Sequence, residues 1–227
     1  MNLNHKLKGV RCKIDLAKKK GGFNHSVKII AVTKTHPFST IQEAYEAGIK
    51  SIGENRVQES IQKFKTFEYM PNITKRFIGH LQSNKVKKCL ELFDTIDSVH
   101  SLKLLRKISL HGQKIGKKTP VLLGVNIAGE KQKKGFLKTQ VEEMLMCFDE
   151  KHIEIKGIMT VAPFTKDRDL IRDCFIQLRE LKNMLNGFLS DDAMTELSMG
   201  MSGDYEIAVE EGATIVRLGT ALFGSRG

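Results

Sequence analysis

The segment VKIIAVTKTHPFSTIQEAYEAGIKSIGEN (27–55) decides the architecture. It opens with a Val/Ile-rich run, VKIIAVTK (27–34), of the length and composition of a buried strand. An amphipathic stretch follows and ends at Gly48, then a second short run, KSIGE (50–54). Ser39 and Gln42 have capping-box spacing, which predicts a helix starting at Ser39. A strand, a helix and another strand in this order argue for a parallel sheet with covering helices.

The alternation continues along the chain. Further runs are KRFIGHL (75–81), FDTIDSV (93–99), PVLLGVNIA (120–128), IEIKGIMTVA (153–162), ELSMG (196–200) and TIVRLG (214–219). Helix-like segments lie between them. Gly48, Gly112, Gly187 and Gly212 stand where helices would end in a left-handed residue. Eight runs predict an α/β fold: a single (β/α)8 TIM barrel over 1–227, with an extra N-terminal helix over 2–20 at the closing end. An open doubly wound sheet is the weaker alternative, because no GxGxxG follows any run.

Composition narrows the function. The 227 residues are 41% hydrophobic and 28% charged, an ordinary globular balance that excludes collagen-like and disordered chains. No run of about 18 apolar residues predicts a membrane span. The N-terminus, MNLNHKLKGVRCKIDLAKKK, lacks the apolar core of a secretory signal. A cytoplasmic protein without a membrane partner is expected. Cys12, Cys89, Cys147 and Cys174 show no metal-binding spacing and read as reduced thiols. The net charge is +11, from 37 basic and 26 acidic residues. Few aromatics interleave with the basic clusters, so no stacking platform for nucleic acid is expected. The cluster Lys131, Lys133 and Lys134 reads first as a solvated loop, and second as a guide for an anion.

In a barrel, chemistry collects at the C-terminal ends of the strands, and phosphate is commonly held after strands 7 and 8. Those ends carry Ser198-Met199-Gly200 and Arg217-Leu218-Gly219-Thr220. Small residues admit an anion to backbone N–H groups, and the hydroxyls add donors. Ser198, Gly200, Gly219 and Thr220 are therefore a candidate phosphate cradle. Lys34 ends the first run, with its stem in the barrel mouth. A desolvated lysine facing a phosphate pocket suggests a Schiff base with a phosphorylated aldehyde.

These residues carry a resemblance. AVTKTHP (31–37), GENRVQE (53–59), FIGHLQSNK (77–85), VNIAGEKQKKGF (125–136), GIMTVAP (157–163) and LSMGMSGDYEIAVEEGATIVRLGTALFG (197–224) are similar to the pyridoxal phosphate homeostasis protein family. That family resembles the N-terminal barrel of alanine racemase, the fold-type III group. The resemblance implies pyridoxal 5′-phosphate (PLP) as cofactor. It implies Lys34 as the residue forming the internal aldimine, and Ser198, Gly219 and Thr220 as phosphate ligands, with the backbone of Met199 and Gly200 beside them. Asn55 would lie near the ring substituents, Arg217 would point at the pyridine nitrogen, and Ile78 and His80 would line the pocket. The family commonly shows Ser where Thr33 stands and varies at His80. No metal ligand and no catalytic residue is implied.

A guanidinium at the pyridine nitrogen is a permanent donor, so it favours the unprotonated ring and disfavours quinonoid chemistry. A carrier that buffers PLP and delivers it to PLP-dependent apo-enzymes is the preferred reading, acting as a monomer or weak homodimer. An amino-acid racemase is the alternative. It needs a second acid/base group opposite Lys34. In alanine racemase that group is a Tyr of a C-terminal β domain, which is expected to be absent because the sequence ends at Gly227. Tyr45 and Tyr205 fall within helix patterns, and Tyr69 follows one.

Overall fold

A computed structural model describes residues 2–64, 70–189 and 193–224. Its strands are β1 (Lys28–Val32), β2 (Ser51–Glu54), β3 (Thr74–Phe77), β4 (Thr95–Val99), β5 (Thr119–Asn126), β6 (Phe136–Leu137), β7 (Ile153–Met159), β8 (Glu196–Met201) and β9 (Ile215–Leu218). All pairings are parallel. The order runs β4-β3-β2-β1-β9-β8-β7-β5, and a β4–β5 pairing closes the ring. Among the described residues, eight strands thus form the TIM barrel that the alternation predicts.

The covering helices are α1 (Leu3–Gly21), α2 (Phe38–Glu46), α3 (Val57–Lys63), α4 (Val86–Leu92), α5 (Leu102–Lys114), α6 (Val141–Met146), α7 (Arg168–Phe188), α8 (Tyr205–Glu210) and α9 (Thr220–Phe223). Helix α1 buries Leu7, Val10, Ile14 and Ala17, one stripe at helical spacing. That stripe packs against α8 and α9, outside the β1–β9 seam. The ion pairs Lys13–Glu206 and Lys20–Glu210, both 2.9 Å, flank the contact.

Strand alternation sorts residues between the outer core and the barrel interior. Ile30, Leu122, Met159 and Ile215 come from four strands and form an apolar cluster of their own. Below it, towards the N-terminal ends, Arg76 donates to Asp97 at 3.0 Å and Lys28 to Glu196 at 2.7 Å. Above it, the same alternation carries Ile30 and Val32 on to Lys34, and Ile215 and Arg217 on to Gly219.

Several local expectations need correction. Helix α2 begins at Phe38 with Pro37 as its cap, and no side chain caps it. The proline presets the extended entry, so the Ser39–Gln42 capping box does not form. Gly48 and Gly212 are left-handed as expected, but Gly112 and Gly187 lie inside α5 and α7. The strand β6 has no counterpart among the eight runs. It forms because Asn126 folds the loop after β5, donating to the Glu130 and Lys133 carbonyls and accepting from the Glu130 N–H.

Candidate functional site at the barrel mouth

Three adjacent strands bring Lys34, Asn55, Arg217, Gly219 and Thr220 together, half of the sequence-predicted residues. β1 pairs with β2 through Val32↔Gly53 and with β9 through Ala31↔Leu218. Lys34, Asn55 and Gly219 therefore emerge side by side at the C-terminal rim. Lys34 is half-buried in the turn after β1. Asn55 Oδ1 is buried and has no hydrogen-bond partner among the described residues. Gly79, at the end of β3, packs so closely that a Cβ there would sit 2.1 Å from the Asn55 carbonyl oxygen.

Arg217 is enclosed within the barrel. It donates to Ser198 Oγ at 2.7 Å and to the Thr160 carbonyl at 2.7 Å. Among the described residues no carboxylate pairs with it. Burial lowers the guanidinium to about 10, against the pull of Asp97 and Asp204. A fully buried cation without an anionic partner is costly, and such groups concentrate at functional sites.

The cradle after β8 and β9 differs in detail from the sequence reading. Ser198 is fully buried in β8 and its hydroxyl is engaged by Arg217. The hydroxyl that meets the backbone amides is that of Ser202, which accepts from Gly219 N–H at 3.2 Å and Ala221 N–H at 3.1 Å. Thr220 is exposed beside it. Met199 turns its side chain into the outer core. Gly200 has φ 90°, and a Cβ there would fall 2.6 Å from that of Ala208, so this glycine lets α8 approach the strand.

On the opposite side of the mouth a cavity of about 500 Å³ is lined by Ile78, His80, Ser98, His100, Met159 and the loop after β5. Ile78 is half-buried and His80 exposed. The His80 and His100 rings lie 4.6 Å apart. His100 is held below the usual imidazole range, by burial first and by His80 and Lys134 second. Lys133 donates to the Val161 and Ala162 carbonyls, so it serves the loop, whereas Lys131 and Lys134 are exposed. Tyr45 donates to the Pro71 carbonyl, at the other end of the barrel from Lys34. Tyr205 is buried in the outer core, and Tyr69 lies outside the described residues.

A family model described as alanine racemase, N-terminal domain, matches residues 10–227. The pyridoxal phosphate homeostasis protein of Aquifex aeolicus is 36% identical over 228 residues, covering 100% of this chain and 99% of that protein. The one from Haemophilus influenzae is 38% identical, covering 100% and 97%. The chain belongs to the pyridoxal phosphate homeostasis protein family. PipY of Synechococcus elongatus, solved with PLP bound, is 34% identical with a TM-score of 0.87, covering 98% of this chain and 100% of that one. An alanine racemase of Clostridium difficile is 16% identical with a TM-score of 0.76 and shares the fold, the match covering 57% of its chain. The described residues contain no helix long and apolar enough to cross a membrane, and no group of three or more His, Cys, Asp or Glu side chains that could hold a metal ion.

Proposed function

We propose that the protein binds PLP at the barrel mouth and serves intracellular PLP homeostasis, holding the reactive aldehyde and handing it to apo-enzymes. The observation that carries this reading is the convergence of Lys34, Asn55, Arg217 and Gly219 on three neighbouring strands, in a family whose member PipY holds PLP. The residues fit the cofactor. Among the described residues Asn55 Oδ1 has no partner, so it offers an acceptor to a ring substituent, and Arg217 is a buried donor that no carboxylate pairs with. The Gly219 and Ala221 amides, with Ser202 and Thr220, suit a phosphate. Ser198 supports this site indirectly by fixing Arg217.

When bound, PLP supplies an aldehyde. Lys34 would supply the amine that captures it, forming a C=N bond with release of one water, and hydrolysis would reverse this on delivery. Arg217, as a permanent donor, would favour an unprotonated pyridine nitrogen, which would weaken the ring as an electron sink. The mouth stays open to solvent at His80, Lys131 and Lys134, which suits exchange more than protected carbanion chemistry.

The test is transfer. Protein loaded with PLP is mixed with a PLP-dependent apo-enzyme, and its reactivation is compared with free PLP at matched concentration. Reactivation at least as fast as with free cofactor supports delivery, whereas no reactivation overturns it. Turnover of D- or L-amino acids at about 1 per second or faster would replace the carrier reading by the racemase one.

A further inference from the structure

Both peptide groups that flank Lys34 are gripped by charged side chains of α3. The Thr33 carbonyl accepts from Lys63 Nζ at 2.9 Å, and the Thr35 N–H donates to Glu59 Oε1 at 2.6 Å. Lys63 bridges Glu54 at 2.7 Å and Glu59 at 3.1 Å. The Thr33 hydroxyl completes the cluster, donating to Glu54 Oε1 at 2.6 Å. The Lys34 carbonyl accepts from the Thr35 hydroxyl at 2.6 Å. The Thr33 carbonyl, which also accepts from the His36 N–H at 3.0 Å, the Lys34 carbonyl and the Thr35 N–H thus each have a polar tether.

Two features set the cluster apart from ordinary packing. The Glu54 and Lys63 side chains are 0% and 6% exposed, and Glu54 Oε2 is buried without a hydrogen-bond partner among the described residues. Burying a lysine between carboxylates is seldom the most stable way to dock a helix, since apolar replacements do as well or better. Thr35 also sits at φ 65°, a left-handed conformation that a β-branched residue rarely adopts. Such strain persists only where the surroundings over-determine it, and it gathers at functional sites.

We infer that Lys63, with Glu54 and Glu59, is a positioning device that fixes the backbone of Lys34 so that its amine is aimed into the mouth. This rests on the reading of Lys34 as the aldehyde-capturing amine. Alternation explains the division of labour. Along β2 and the residue after it, alternation turns Gly53 and Asn55 towards the barrel interior and Glu54 outward to Lys63 of α3. The cluster therefore acts from behind the strand, touches no ligand, and serves covalent capture more than recognition of ring or phosphate.

The full-length protein is titrated with PLP and with pyridoxine 5′-phosphate, which carries an alcohol in place of the aldehyde. Losing one charge-assisted tether should lower PLP affinity about tenfold or more in Lys63→Met and in Glu59→Ala, and leave pyridoxine 5′-phosphate within about twofold. Glu59→Gln keeps an acceptor for the Thr35 N–H and should stay within about twofold of the parent for both ligands. If Lys63→Met does not fold, Glu59→Ala carries the test, because Glu59 is one-quarter exposed. An equal loss for the two ligands in a folded variant, or no loss for PLP, overturns the inference. Lys34→Ala is run in parallel with borohydride trapping. Retained trapping there sinks the Lys34 reading itself, independently of how the α3 variants behave.

Discussion

Replacing Arg217 by Met tests how far the barrel interior is built for a ligand. Burial takes the guanidinium down from its ordinary value to about 10. At about 1.4 kcal/mol per unit, that corresponds to about 3 kcal/mol against the charged form in the ligand-free fold. The replacement also strips donors from Ser198 Oγ and the Thr160 carbonyl, both at 2.7 Å. Each acceptor left unsatisfied costs about 1 kcal/mol or somewhat more. The gain and the loss nearly cancel, so Arg217→Met should unfold in urea within about 1 kcal/mol of the parent, on the more stable side, as with other buried charges replaced by apolar residues of similar volume. The pH dependence has a definite sign. A base whose folded value is depressed binds fewer protons when folded, so its cost is full below about 10 and is relieved as pH rises above that value. Any advantage of the variant should therefore shrink as pH climbs through about 10. PLP binding should weaken in the variant even though the fold survives. A loss of about 3 kcal/mol or more in the ligand-free protein would make Arg217 a structural residue and refute the reasoning.

Further outcomes follow from the same geometry. Gly79→Ala should lower PLP affinity about tenfold, because the added Cβ displaces the Asn55 carbonyl from 2.1 Å; an unchanged titration would detach Asn55 from the site. With a thiol reagent, native protein should react quickly at Cys12 alone, which is exposed. Burial pushes Cys89 and Cys147 up to about 12 and Cys174 up to about 11, so these should react only after unfolding. Burial raises Glu59 and Glu210, but the Thr35 N–H and Lys63 outweigh it at Glu59, and Lys20 and Arg172 outweigh it at Glu210, leaving both below 4.5. Their stabilisation is present above that value and is lost as pH falls through their folded values. Urea midpoints should therefore drop in acid, and Glu210→Gln should flatten the drop.

The barrel was legible because each strand announces itself as a short apolar run with a helix behind it. The place of Lys34 at the rim was legible for the same reason, since it ends the first apolar run. Arg217 and Gly219 end the last run in the same way. The contact of Ser202 with the Gly219 and Ala221 amides was not legible. Ser198 and Ser202 both lie among small residues four positions apart, and only the reach of Arg217 across from β9 determines which hydroxyl is free for the amides. The cluster behind Lys34 was hidden differently. Lys63 sits 29 residues beyond Lys34 in a segment that reads as a solvated helix, and its burial depends on where α3 docks. The strand β6 depends on one asparagine folding a loop, which no periodicity encodes.

The central claim is the covalent one, and peptide mapping tests it most directly. Full-length protein is incubated with PLP, reduced with borohydride, digested and examined by mass spectrometry. The account predicts one pyridoxyl group per chain, on the peptide that contains Lys34. A label spread over surface lysines, concentrated on another lysine, or absent while PLP still binds would contradict it.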